Sequence, residues 1–263
     1  MFLPLHDDNP LKNIQFQYVT VAFIAICVTV FLYQLSLGEG GGRVFVFRFG
    51  AIPAVVFGEV TLPKGFAPAP AAFSLVTSMF LHGGFMHLAG NMLFLWVLGD
   101  NVEDAMGHKR FVVFCLLAGI AAALAHGLSD PASQVPMIGA SGAISGVIGA
   151  YLVLHPKARI KVLVSYFLVW LPAYVVLGAW IGLQFVSAAM DPGGAGGVAW
   201  WAHIGGFFAG IALIFPMRNK GVPLFDRDQE KFELKPQIAK APKRRSRVPD
   251  SRISRRRETR GKK

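Results

Sequence analysis

Ile138-Gly139-Ala140-Ser141-Gly142-Ala143-Ile144-Ser145-Gly146-Val147-Ile148-Gly149-Ala150 is an apolar run whose glycines keep a helical beat. Gly142, Gly146 and Gly149 fall at i, i+4 and i+7, so a helix here has one face without side chains, and Ser141 lies beside it. A second helix can approach that face until the backbones touch. The run Ala202-His203-Ile204-Gly205-Gly206-Phe207-Phe208-Ala209-Gly210 offers the matching surface, with His203, Gly206 and Gly210 at i, i+3 and i+7. Should the two faces meet, the imidazole reaches the hydroxyl, and the pair has the composition of a serine nucleophile with its general base.

Both runs sit in a chain of 263 residues that is 54% apolar and only 16% charged, which points to an integral membrane protein rather than a soluble domain. Six spans are expected, at roughly 18 to 37, 84 to 103, 111 to 128, 137 to 154, 161 to 188 and 200 to 217. The first lacks a small-x-small cleavage site and is expected to be an uncleaved helix rather than a signal peptide. Cys27 and Cys115 lie inside apolar runs without metal or CxxC spacing and are expected to be small buried hydrophobes.

From Arg218 onward there are 17 Lys+Arg against 6 Asp+Glu, while residues 1–217 carry 9 of each, so the whole formal charge of +11 belongs to the tail. Three segments follow: a short cytoplasmic N-terminal segment (1–17), a membrane domain (18–217), and a basic, disordered cytoplasmic tail (218–263) drawn to anionic lipid headgroups. No folded reading element accompanies the basic runs, so nucleic acid is not an expected partner. Lys12, Lys109, Arg110, Lys157, Arg159, Lys161 and the tail alternate with loops holding only Arg43, Arg48 and Lys64, which sets both termini on the cytoplasmic side. Spans two, four and six then start at the outer face, and His87, Ser141 and His203 each fall in the first turns of those three spans. Their common depth is what distinguishes them from scattered core residues.

The segment from Gly38 to Ala72 is too interrupted to span and too apolar to be a free linker, so it is expected to lie in the outer interface. Bracing the bundle and shaping access to the site are both open to it.

In His82-Gly83-Gly84-Phe85-Met86-His87-Leu88-Ala89-Gly90-Asn91, His87 and Asn91 are one helical turn apart and can serve one oxygen. With backbone N–H groups at Ser141, and Gly139 beside them, they form a candidate oxyanion hole. His82 precedes the helix and is expected to fix the loop or guide water. Taken singly, a small-residue face is packing glue and a histidine can be a hydrogen-bonded core residue; their conjunction at one depth favours chemistry. The HExxH pattern of membrane metalloproteases is absent, and neither a metal nor another cofactor is expected. A solute transporter would show paired polar groups at mid-membrane or duplicated halves, and neither is visible.

These segments resemble, in order, the motifs of the rhomboid family of intramembrane serine proteases: His82 to Asn91, Gly139-Ala140-Ser141-Gly142, and Ala202 to Gly210. The resemblance implies an all-α, six-helix rhomboid-like bundle with a long interfacial first outer loop, in a prokaryotic plasma membrane. It implies Ser141 as nucleophile, His203 as base, and His87 and Asn91 as oxyanion donors, with Gly142, Gly206 and Gly210 supporting. It further implies single-span membrane proteins as substrates, cut near their outer end at small residues. Glu103 and Gly107 look like the family's structural loop residues, and Arg48 like the arginine of its first outer loop. Noncatalytic members that bind membrane-protein clients are the alternative, although they generally lack the serine or the histidine. One departure stands out: bacterial members carry an aromatic residue one turn after the nucleophile, stacked on the histidine, and here that position is Ser145. Either another ring braces His203, with Trp201 and Phe167 as the candidates, or the histidine is less tightly held.

Overall fold

A computed structural model describes residues 2–63, 66, 70–164, 166–191 and 197–225. Lys64 and the expected disordered tail from residue 226 onward lie outside the described residues. In chain order the elements are β1 (Phe2–Asp7), α1 (Tyr18–Ser36), α2 (Gly38–Phe49), α3 (Pro53–Val56), α4 (Ser74–Thr77), α5 (Phe85–Met106), α6 (His108–Ser129), α7 (Ser141–Leu154), β2 (Arg159–Val164), β3 (Phe167–Pro172), α8 (Ala173–Met190) and α9 (Trp200–Met217).

Among the described residues, α1, α6, α8 and α9 are long and apolar enough to cross a bilayer. Ala71–Phe80 together with α5 makes a fifth candidate, bent by 83° between its halves. The protein is thus a mostly helical membrane bundle. Its centre is the crossing of α7 and α9. A Cβ added at Gly206 would fall on the Gly142 carbonyl oxygen, one at Gly210 on the Gly146 carbonyl, and one at Gly149 on the Phe207 carbonyl, so the two glycine faces do meet. On its other side α7 packs on α6, where a Cβ at Gly142 or Gly146 would come within 2.5 or 2.6 Å of the Ala122 or Ala118 methyl. Only hydrogen fits in this three-helix contact, and packing of this density is what holds helices together where lipid supplies no hydrophobic drive.

The C-terminal ends of α5, α7 and α9 converge at one end of the bundle. The Asn219 amide donates to the Ala105 carbonyl (2.8 Å), the Phe225 amide to the Val153 carbonyl (2.9 Å), and Arg110 reaches the Met217 carbonyl (3.3 Å). The N-terminal chain is anchored at the same end. The buried Glu103 carboxylate accepts from the Val19 amide (2.9 Å) and from the amide and hydroxyl of Thr20 (both 2.8 Å), capping α1, while His108 Nδ1 lies 2.6 Å away. Asp104 accepts from the amides of Lys12, Asn13 and Ile14. Gly107, at φ +79, turns α5 into α6.

Three expectations need correction. The protein is not all-α: β1, β2 and β3 form an antiparallel sheet in that order, and β1 folds the first residues of the 1–17 segment onto β2. The fifth span does not begin near 161 but at Ala173, because 159–172 is a hairpin rich in Val, Ile, Phe and Trp, and Pro172 caps the helix start. The segment expected as the fourth span is α7, which starts at Ser141 rather than 137 and has 14 residues, about 21 Å at 1.5 Å per residue. Before it the chain is not helical, and Met137 pairs with Ala51 in the segment after α2.

Candidate active site

Several local constraints set Ser141 at the first position of α7. The Ala51 and Met137 backbones exchange hydrogen bonds of 3.0 and 2.8 Å, and the Ala54 amide donates to the Ser133 carbonyl (3.0 Å). The Gly139 amide then donates to the Ser78 carbonyl (2.9 Å). Gly139 turns the chain at φ +123, a conformation L side chains rarely adopt, and the helix begins two residues later. The segment from Gly38 to Ala72, read as interfacial, therefore supplies the support under the approach to α7. Arg48 stands on α2 with its guanidinium 5.8 Å from the Phe49 ring centre. The first α-helical bond runs from the Ile144 amide to the Ala140 carbonyl (3.0 Å), so the amides of Ser141 to Ala143 lie ahead of the helical ladder, at the positive end of the α7 dipole.

Ser141, His203, His87, Asn91 and Gly139 all line one cavity of about 1010 Å³, together with Gly142 and Ala202. Ser141 and His203 are half-buried. A Cβ at Gly139 would meet His87 Nε2 at 2.7 Å and Asn91 Nδ2 at 3.7 Å, so the backbone before Ser141 runs directly under both side chains of α5. The Gly83 amide donates to His87 Nδ1 (3.3 Å). With Nδ1 accepting, the neutral ring carries its proton on Nε2, the nitrogen beside Gly139, and can donate it. Asn91 is 8% exposed, and its Nδ2 has no hydrogen-bond acceptor among the described residues. A buried amide donor free to serve an oxygen is what an oxyanion site requires. Among the described residues no three His, Cys, Asp or Glu side chains stand close enough to hold a metal ion.

His82 does not line the cavity. Its backbone is clamped on both sides by Gln34 of α1, which accepts from the His82 amide and donates to its carbonyl, each at 3.1 Å. Its ring packs edge-on against His87, with centroids 5.2 Å apart.

The surroundings of His203 hold what the sequence did not disclose. Neither Trp201 nor Phe167 braces it: Phe167 lies on β3, 73% exposed, and the rings near His203 are Trp180 of α8 and Trp200 of α9, at 5.8 and 6.2 Å. Gln184, one turn after Trp180, brings Oε1 to 2.8 Å from His203 Nδ1. The available signal was a lone amide in an apolar span, which needs a partner in lipid. Ser145, in place of the aromatic, is fully buried and donates to the Ser141 carbonyl (2.6 Å).

The model of the Rhomboid domain matches residues 70–220, which contain Ser141, His203, His87, Asn91, Gly139 and Gln184. The chain is 38% identical over 145 residues to rhomboid protease GluP of Bacillus subtilis, covering 54% of this chain and 26% of that protein. It is 32% identical over 146 residues to rhomboid protein 1, mitochondrial, of Saccharomyces cerevisiae (52% of this chain, 40% of that one). With rhomboid-related protein 2 of Mus musculus it shares 28% identity over 204 residues (70% and 62%). The chain thus spans less than two thirds of the length of each of these relatives.

Proposed function

This chain belongs to the rhomboid family, and from that premise we propose that it is an intramembrane serine endopeptidase in which Ser141 is the nucleophile and His203 its general base. The observation that carries the reading is the shared cavity: hydroxyl, imidazole, the two α5 donors and the free amides at the α7 N-terminus open onto one space. In the reaction, Ser141 Oγ attacks the scissile carbonyl as His203 takes its proton. The negative charge on the carbonyl oxygen is met by His87 Nε2–H, Asn91 Nδ2–H and the Ser141 amide. His203 returns the proton to the leaving amine, and water then hydrolyses the acyl-enzyme.

The reading includes six spans, α1, α5, α6, α7, α8 and α9, with both termini in the cytoplasm of a prokaryotic cell and the domain limits at 18 and 217. Its support is that Lys109, Arg110, Lys157, Arg159 and Arg218 follow the helix ends that converge away from the cavity. A helix of about 21 Å in a hydrocarbon core of about 30 Å leaves its N-terminus roughly 9 Å inside the outer boundary. Water reaches Ser141 through the cavity at that depth. The substrates are single-span membrane proteins, cut near the outer end where small residues or helix breakers lower the cost of exposing a helical amide. The basic tail adds attraction to anionic headgroups.

The test is cleavage of a reconstituted transmembrane substrate, paralleled by labelling with a fluorophosphonate probe. Ser141→Ala and His203→Ala should each abolish both while the bundle stays folded. Retained cleavage would defeat the assignment, and a folded wild type that neither cuts nor labels would leave a client-binding protein in its place.

A further inference from the structure

Gln184 is the only polar residue among the buried positions of α8, the others being Ala173, Val176, Leu177 and Ala188. An amide side chain inside a membrane helix must satisfy both its ends within the protein. Gln184 does so unequally. Its Nε2 donates to the Trp180 carbonyl one turn back (3.0 Å), and its Oε1 faces His203 Nδ1 at 2.8 Å. Exchanging the two ends would set oxygen against the Trp180 oxygen, so the bond to Trp180 fixes which end meets the imidazole. An oxygen can only accept, and His203 Nδ1 therefore carries the ring proton. The lone pair is left on Nε2.

We infer that Gln184 is a positioning residue for His203: by holding the Nδ1 proton it keeps Nε2 as the basic nitrogen for Ser141, the service a buried carboxylate performs in a Ser-His-Asp triad. The inference rests on the serine-histidine reading above. It supplies a third member that α5 does not, since Asp100, Glu103 and Asp104 stand at the end of that helix opposite His87. An amide suits this location because a carboxylate among apolar helices would carry a heavy desolvation cost. Gln184 sets the tautomer and the ring angle without adding charge, and Trp180, from the same face of α8, limits the ring's tilt at 5.8 Å. The titratable groups facing His203 from the other helices are His87 on α5 and His126 on α6. No carboxylate on those helices duplicates the Gln184 contact.

The test uses the full chain in detergent or liposomes, with the concentration dependence of labelling by a fluorophosphonate probe and the ¹⁵N spectrum of histidine-labelled protein. Wild type should show His203 protonated on Nδ1. Gln184→Met, close in shape but without the acceptor, should lower the maximal labelling rate about tenfold, the equivalent of one hydrogen bond, while half-saturation stays within about twofold and the His203 proton spreads over both nitrogens. Gln184→Glu should restore the rate at high pH and move the acid limb of the pH profile upward, because a carboxylate beside an imidazole favours the imidazolium. A merely structural role would change neither the tautomer nor that limb. An unchanged maximal rate in Gln184→Met, with Ser141→Ala unlabelled, overturns the role of Gln184 alone. Labelling that survives Ser141→Ala overturns the serine-histidine reading and this inference with it. If Gln184→Met does not fold, the wild-type spectrum decides: a proton on Nε2 refutes the inference.

Discussion

Gly139→Ala tests the geometry of the proposed oxyanion site at its tightest point. An alanine Cβ there would lie 2.7 Å from His87 Nε2 and 2.8 Å from Cε1, against the 3.4 Å at which ordinary contact begins. The imidazole would have to retreat by about 0.7 Å. A donor moved by that amount leaves the 2.7–3.2 Å window of an N–H···O bond. Losing one oxyanion donor costs about 3 kcal/mol in the transition state, roughly a hundredfold in rate. The φ of +123 at this position adds about 1–3 kcal/mol of strain to the fold. Gly83→Ala is the matched control, since its Cβ would meet His87 Nδ1 and Ile138 Cδ1 at an ordinary 3.7 Å. The assay is the second-order rate of fluorophosphonate labelling, measured below the unfolding temperature of each variant. Gly139→Ala should label about a hundredfold more slowly than wild type and Gly83→Ala at close to the wild-type rate. Because the damage runs through one ring, the double variant Gly139→Ala with His87→Ala should be scarcely slower than the worse single. Multiplying losses, or wild-type labelling by Gly139→Ala, would refute the reasoning.

The crossing of α7 and α9 makes a stability prediction: Gly210→Ala drives a methyl onto the Gly146 carbonyl and should cost about 1–3 kcal/mol. Gly182→Ala on α8, with nothing within 4 Å, should leave the unfolding midpoint unchanged or slightly raised, and equal midpoints for the two would count against a closed crossing. In the three-stranded sheet, burial pushes the Asp7 carboxyl from 3.8 up to about 7; the Tyr151 hydroxyl bond opposes this, and Asp100 and Asp8 add to it. The folded chain then holds a proton that the unfolded chain has lost between pH 4 and 7, so this group's contribution to stability falls as pH rises through that window and is level above it. Asp7→Asn should remove that slope from the thermal midpoint measured against pH, and a wild-type contribution that rises with pH would contradict the assignment.

The parts legible in the sequence were those written in local periodicity. Gly142, Gly146, Gly206 and Gly210 announce two side-chain-free faces, and two such faces can be brought together only by touching. The hairpin was not legible by hydropathy, because Ile160 to Trp170 is as apolar as a span and contains neither glycine nor proline. Alternate burial of Ile160 and Val162, with Pro172 ahead of α8, is the period-two pattern that a span-length window averages away. The short α7 was missed for a similar reason: Met137 to Ala140 are as apolar as the helix, and their non-helical path is fixed by Ala51 and Ser78, far off in sequence. Gln184 lies 19 residues from His203, across a loop, and no spacing rule links them.

Ser145 ties these elements together. A Cβ on Gly206 would stand 3.2 Å from the Ser145 Cβ, so position 145 faces the α9 backbone at the crossing itself, one turn below the Gly142–Gly206 contact. An aromatic ring there would have to enter the space that the two glycine faces close, and with a fully buried serine the helices remain in contact. The histidine must then be braced from outside the crossing. Trp180 and Gln184 do this from α8, one turn apart on one face, while Trp200 adds an edge from α9 itself. The glycines set the tight α7–α9 contact, a small side chain at 145 fits against it, and the ring absent from α7 and the amide present on α8 are parts of the same arrangement.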